Sequence, residues 1–272
     1  MAWWEWNATG QADHPHVIVC VHGLTRQGRD FDVLARALCT RARVVCPDIV
    51  GRGQSDWLAD PMGYQVPLYV ADMQRLLTQL ACPTLDWVGT SMGGMIGMGV
   101  AGSPGMPPVR RLVLNDIGPR IEAVALARIG DYVGMAPRFE NEQSAIDYLR
   151  ELSISFGPHT PEQWRALSLP MLRPDGSGVK LHYDPRIGQP MRSTTPDMVR
   201  EGEAVLWSLY DQISARTLLL RGAQSDLLSP STALEMTQRG PRAQLVEFPG
   251  VGHAPTLVAE DQVRTVSRFL LD

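Results

Sequence analysis

The sequence predicts an α/β fold, a parallel sheet covered on both faces by helices and interrupted by one helical insertion. Three observations carry that prediction. Short β-branched apolar runs end in glycine or proline. Stretches with helical spacing stand between them. That alternation lapses from Ile117 to Ser214 and then resumes. Strands that alternate with helices pair in parallel, and each then needs cover on both faces.

Element by element, WWEW (Trp3–Trp6) reads as an antiparallel edge strand, and HVIVCVHG (His16–Gly23) as a buried strand. In RDFDVLARALCT (Arg29–Thr40), Phe31, Leu34, Ala35 and Leu38 share one helical face. ARVVCPD (Ala42–Asp48) is a strand stopped by Pro47. Val66–Leu80 is helical, with Leu68, Met73, Leu76, Leu77 and Leu80 available for one face. TLDWVGT is a strand, SMGGMIGMGVAG a glycine-laden helix, and RRLVLND (Arg110–Asp116) a strand. The middle segment holds helical patches (EAVALARIGDYV, EQSAIDYLRELSIS, PDMVREGEAVLWSLY) separated by proline and glycine. RTLLLRG, STALEMTQ, AQLVEFPG and EDQVRTVSRFLL then complete a strand–helix–strand–helix series. The division is a core of residues 1–116 and 215–272 and a cap of residues 117–214. Such an insertion is expected over the strand ends, where α/β sheets bind ligands.

Composition narrows the function. A net charge of −4 without a block of like charge disfavours nucleic acid, which needs clustered Lys and Arg. No basic amphipathic segment or bilayer-length apolar run points to a membrane. MAWWEWNATG lacks the pattern of a signal peptide, so Cys20, Cys39, Cys46 and Cys82 are expected as reduced thiols and the protein as cytoplasmic. The cysteines and six histidines lack metal-ligand spacing, so no metal or cofactor is expected.

The chemistry centres on VGTSMGG. Gly89 ends a strand and Ser91 opens a helix. Gly89 and Gly93 remove side chains that would clash across so sharp a turn. The Ser91 hydroxyl then points out at the top of the sheet, at a helix N-terminus that favours developing negative charge. A serine nucleophile needs a base, and the base needs an orienting acid, each expected just past a later strand. VGHAP after AQLVEFPG supplies His253, and AQSDLLSP after RTLLLRG supplies Asp226. Asp116, at the end of RRLVLND, is the alternative acid. The expected oxyanion donors are the backbone N–H groups of Met92 and of Leu24 in HGLTRQG. His22 is read as shaping that loop. The tight PDIVGRGQSDW loop, with Arg52, Ser55 and Asp56, is read as structural.

HG after the first long strand, PDIVGRGQSD, GTSMGG, RGAQSDLLSP and GVGHAP, in that order, resemble the α/β-hydrolase superfamily with a helical cap. The resemblance covers nearly the whole chain outside Ile117–Ser214. It implies an eight-stranded, mostly parallel sheet and a nucleophile–acid–base triad carried by Ser91, Asp226 and His253. Serine in the elbow sets the chain apart from the similar epoxide hydrolases and haloalkane dehalogenases, which use aspartate. The expected activity is hydrolysis of small or medium apolar acyl or aryl esters through an acyl-enzyme. The alternatives are C–C bond hydrolysis of ring-cleavage products, enol-lactone hydrolysis, and a non-catalytic ligand-binding role. The cap residues expected near the substrate are Tyr132, Trp164 and Trp207, with Ile129, Phe139, Leu149, Phe156 and Tyr210 as further candidates. His182 and Arg186 are candidates to meet a substrate carboxylate. Oligomeric state is not legible.

Overall fold

In the computed structural model, which describes residues 1–272, Val17, Val19 and Val21 point to one side of a sheet and Ile18 and Cys20 to the other, all fully buried. That period of two, with both faces apolar, is the signature of a strand covered on both sides. The first half of the chain contains β1 (Trp3–Trp6), β2 (His16–Val21), α1 (Asp32–Leu38), β3 (Arg43–Pro47), α2 (Val66–Leu80), β4 (Thr84–Thr90), α3 (Met92–Gly102) and β5 (Val109–Asn115). An inserted segment comes next, with α4 (Ala123–Tyr132), β6 (Arg138–Phe139), α5 (Glu142–Leu152), α6 (Pro161–Ser168), β7 (Leu172–Asp175), β8 (Gly178–Leu181), α7 (Gln189–Arg192) and α8 (Pro196–Asp211). The chain closes with β9 (Arg216–Gly222), α9 (Pro230–Gln238), β10 (Gln244–Phe248) and α10 (Glu260–Leu271).

The main sheet has the order β1-β3-β2-β4-β5-β9-β10. Only β1 runs antiparallel, pairing Trp3–Trp6 with Pro47–Val44 at one edge. The sheet therefore has seven strands rather than the expected eight. The stretch from Asn7 to Pro15 is rich in Gly, Asn, Asp and Pro, which favour turns, so the chain enters its first parallel strand after a single antiparallel one. On one face α2, α3 and α8 cover Val17, Val19, Val45, Trp87, Leu112 and Leu114. On the other, α1 and α10 cover Ile18, Val44, Val88, Val113, Leu218 and Leu220.

The inserted segment is not wholly helical. β6, β8 and β7 form a small antiparallel sheet, with β7 and β8 joined at Asp175–Gly178. The Asp-Gly pair in PDGSG is a hairpin turn signal that outweighs the surrounding helical patches. No helix is long and apolar enough to cross a membrane, and all four cysteines are free. The loops after β4, β5 and β10 emerge together at the carboxyl ends of the parallel strands. That edge, beneath the insertion, is where an open α/β sheet binds its ligand.

Candidate active site

Ser91 lies between β4 and α3 with φ 52° and ψ −116°, a backbone conformation that L-residues rarely adopt. Its neighbours make the turn possible. A Cβ at Gly93 would stand 2.0 Å from the Val21 carbonyl oxygen, and one at Gly89 would stand 2.2 Å from the Gly93 oxygen. Both glycines are thus required by close backbone approach. The strain is held by packing from below, where the buried Trp87 indole donates to the Gly93 carbonyl at 3.1 Å.

The Ser91 Oγ is 3.0 Å from Nε2 of His253, 162 residues away in the loop after β10. The other ring nitrogen of His253, Nδ1, is 2.7 Å from Oδ2 of Asp116. Asp116 is fully buried at the end of β5, with φ 55°. Its carboxylate also accepts the Gly222 N–H at 2.8 Å and the Ser225 hydroxyl at 2.6 Å. Three hydrogen bonds hold this carboxylate in one orientation. Nδ1 therefore carries the proton toward Asp116, and Nε2 is left to accept the serine proton.

This geometry corrects the expectation for Asp226. Its side chain is 36% exposed and accepts a fork from Arg128 of α4, Nε at 2.7 Å and Nη2 at 2.9 Å. Burial works against its charge, but the Arg128 hydrogen bonds and charge outweigh it and hold its pKa below the ordinary range. The neighbouring Ser225, not Asp226, turns its hydroxyl to the buried acid. β5 lies directly beside β4, whereas β9 is one strand further away, so Asp116 is the acid that the sheet order brings nearest to Ser91.

The loop after β2 has the form an oxyanion site needs. A Cβ at Gly23 would lie 3.8 Å from that of Ser91, so the loop runs beside the serine. His22 is fully buried; its Nδ1 is 2.7 Å from the Gly23 carbonyl oxygen, and its Nε2 accepts the Ile49 N–H at 2.9 Å. This pattern demands the neutral ring, and burial pulls its pKa down to about 3. Because the Gly23–Leu24 peptide is planar and trans, fixing its carbonyl toward His22 turns the Leu24 N–H the opposite way. That N–H has no acceptor within the protein. Fully buried Arg52 adds a second restraint, donating to the Leu24 carbonyl at 2.8 Å, the Val50 carbonyl at 2.7 Å and the Tyr69 hydroxyl at 3.0 Å. Met92 opens α3, where the first N–H groups lack intrahelical partners. Ser55 is also structural, donating to the Asp48 carbonyl.

Two cavities meet at Ser91. One, of about 320 Å³, is mostly apolar and includes Tyr69, Met92, Met95, Ile117 and Leu126. The other, of about 100 Å³, includes Arg26, Asp30, Arg128, Tyr132, Phe156 and His253. Leu24, Ser91 and Ile129 belong to both. Of the aromatic cap residues, Tyr132 and Phe156 line the smaller cavity. Trp164 stands one layer behind, stacked on Phe156 at 6.3 Å. Trp207 is elsewhere, edge-on to Tyr210 and beneath the Arg239 guanidinium at 4.3 Å, on a helix that packs against α3. Tyr210 is likewise structural, donating to the Met236 carbonyl, and Phe139 packs on Tyr148. Leu149 does line the smaller cavity. Neither His182 nor Arg186 lines either cavity, and Arg186 is tied to buried Asp184 and the Leu58 carbonyl. The cationic residues that do line it, Arg26 and Arg128, carry no sequence signal, since each is an arginine within an ordinary polar or helix-forming stretch.

The inserted segment also holds the histidine loop. Ser155 donates to the His253 carbonyl at 2.8 Å and accepts the Gly252 N–H through its own carbonyl at 2.6 Å. His159 meets the Thr256 hydroxyl at 2.7 Å, and Asn115 donates to the Pro255 carbonyl at 2.8 Å.

Comparison with known proteins agrees with this architecture. The family model described as "Alpha/beta hydrolase family" matches residues 18–266. A 3-hydroxybutyrate-oligomer hydrolase from Cupriavidus necator is 50% identical over 273 residues, 99% of this chain and 92% of the relative. A pimeloyl-[acyl-carrier protein] methyl ester esterase from Xanthomonas campestris pv. campestris is 25% identical, over 94% of this chain and 96% of the relative. Among solved structures, an alpha/beta hydrolase from Novosphingobium aromaticivorans superposes with a TM-score of 0.86 at 34% identity, covering 98% of this chain and 92% of that one. The match of the family model across nearly the whole chain, on a sheet that joins a serine turn to a histidine loop, shows that the protein belongs to the α/β hydrolase family.

Proposed function

We propose that this hydrolase is a serine esterase acting through an acyl-enzyme, with Ser91 as nucleophile, His253 as base and Asp116 as the orienting acid. The observation that carries the reading is the continuous relay from Ser91 Oγ through His253 to the buried Asp116 carboxylate, at 3.0 and 2.7 Å. Such spacing is that of a working nucleophile–base–acid set.

In the proposed reaction His253 Nε2 takes the Ser91 proton while Oγ bonds to the ester carbonyl carbon. The oxygen, now an anion, is received by the N–H groups of Leu24 and Met92. Asp116 stabilises the imidazolium through Nδ1–H. The tetrahedral centre collapses, the C–O bond to the alcohol breaks, and His253 returns the proton to that oxygen. Water then gives a proton to His253, attacks the acyl carbon, and releases the acid as Ser91 regains its proton. The strained elbow and the restraints on the Gly23–Leu24 peptide keep the groups in place before substrate binds, which is where such sites gain most of their rate.

The substrate class rests on the two cavities and on the relative at 50% identity, which by its name hydrolyses 3-hydroxybutyrate oligomers. An aliphatic hydroxy-acid oligoester is the proposed substrate, with short apolar esters as surrogates. The test is turnover of p-nitrophenyl butyrate and of a 3-hydroxybutyrate dimer by wild type and Ser91→Ala. Hydrolysis by wild type and a loss of about 10³-fold or more in the variant is the expected result. A folded Ser91→Ala protein with wild-type turnover refutes the scheme.

A further inference from the structure

The two cavities at Ser91 differ in charge as well as in size, and His253 separates their roles. His253 lines only the smaller one. In the reaction proposed above, on which this inference rests, His253 Nε2 must hand a proton to the departing alcohol oxygen. The leaving group therefore lies on the His253 side, in the small cavity, and the acyl chain lies in the large apolar one.

The small cavity has an excess of cations. Its charged side chains are Arg26, Arg128 and Asp30. Asp30 is already forked by Arg26, Nε at 2.7 Å and Nη2 at 2.6 Å, and Arg26 also binds the Leu167 carbonyl at 2.9 Å. Arg128 is differently placed. Arg128 lines the cavity, and its partner Asp226 does not. The fork occupies Nε and Nη2, and the Tyr132 hydroxyl is the guanidinium's other polar neighbour. The Arg128 side chain is 39% exposed. A guanidinium anchored along one edge, with a hydroxyl beside it at the cavity wall, is pre-set to receive a second carboxylate together with that hydroxyl. Tyr132 stands beside it; burial raises the hydroxyl's pKa, while the charges of Arg128 and Arg26 pull it down, which places both cations around one polar group.

We infer that Arg128 binds a carboxylate on the leaving alcohol, so that the enzyme selects free-acid oligoesters and removes a hydroxy acid from their carboxyl end. The sizes agree with this polarity. The small cavity, about 100 Å³, suits one hydroxy-acid unit, and the apolar one, about 320 Å³, suits the longer remainder.

The experiment compares a 3-hydroxybutyrate trimer with a free carboxyl end against its methyl ester, in wild type, Arg128→Gln and Arg128→Lys, with thermal melting to verify folding. For wild type, the ratio of kcat/KM for free acid over methyl ester is expected to be about 10 to 100, the range of a hydrogen bond to a charged group. Most of that preference should appear in KM. Arg128→Gln should bring the ratio toward one, and Arg128→Lys should restore part of it. With a ¹³C label in the carboxyl-terminal unit, the first monomer released should carry the label. Equal kcat/KM for acid and ester in wild type, an unchanged ratio in Arg128→Gln, or unlabelled first monomer overturns the inference while leaving the esterase reading standing. Failure of wild type to cleave either trimer or p-nitrophenyl butyrate overturns the esterase reading and this inference with it.

Discussion

Two carboxylates stand near His253, and replacing each by asparagine separates their roles. Asp116 is fully buried and accepts from His253 Nδ1, the Gly222 N–H and the Ser225 hydroxyl. Asparagine there has one acceptor oxygen and turns an N–H₂ toward groups that also donate. The histidine then loses the partner that sets its tautomer and balances its charge. The corresponding asparagine change in the chymotrypsin-type triad lowers kcat about 10⁴-fold. A loss of about 10³- to 10⁴-fold is expected for Asp116→Asn, which is about 4 to 5.5 kcal/mol of transition-state stabilisation. Asp226 instead makes a half-exposed ion pair with Arg128, worth about 1 kcal/mol or less. Asp226→Asn should therefore cost less than about tenfold with p-nitrophenyl butyrate, an ester without a carboxylate. The assay is steady-state kinetics of both variants at one pH above neutrality, with circular dichroism and thermal melting to show that each is folded. A loss of about 10³-fold in Asp226→Asn beside a loss of less than about tenfold in Asp116→Asn would refute the assignment of the acid.

Three further outcomes are expected from the same geometry. Gly93→Ala puts a methyl group 2.0 Å from the Val21 carbonyl oxygen, so the elbow must shift; a stability loss of about 1–3 kcal/mol or more and a fall in kcat are expected, read by urea denaturation and ester turnover. His22 has a folded pKa of about 3 against about 6.5 unfolded, so the unfolded chain binds the extra proton between those values; stability is fully present above pH 6.5 and falls toward pH 3. The stability difference between wild type and His22→Gln should narrow by about 2 kcal/mol from pH 7 to pH 5, and a constant difference in urea titrations would contradict the neutral buried ring. Met95→Trp fills part of the apolar cavity and should shift preference from octanoyl to butyryl p-nitrophenyl esters, since each methylene excluded from burial costs about 0.8 kcal/mol, roughly fourfold in kcat/KM.

The order of strands and helices and the sharp serine turn were legible in the sequence because local rules encode them. Val17–Val21 alternates toward two buried faces, and Gly89 and Gly93 announce a backbone crossing that no side chain tolerates. The single antiparallel edge strand was equally readable from WWEW. Local pattern also tells which residue types stand at strand ends. Three carboxylate- or imidazole-bearing ends were therefore visible, Asp116, Asp226 and His253. Which acid meets the histidine depends on contacts across 137 and 98 residues, where His253 reaches Asp116 and Arg128 draws Asp226 away. A guanidinium on a distant helix competes for one carboxylate, and no spacing in the chain records that competition. The same reason explains Trp207, whose apolar face suited a pocket wall by composition but is covered by Arg239 and Tyr210 in the folded chain. The eighth strand is a different case, since the chain's own pattern gives seven strand runs, all found in the sheet, and only the family resemblance implied one more. Periodicity and turn chemistry act over a few residues and are written in the chain. The choice between partners of equal chemical suitability is made by distance and burial, and only tertiary packing sets those.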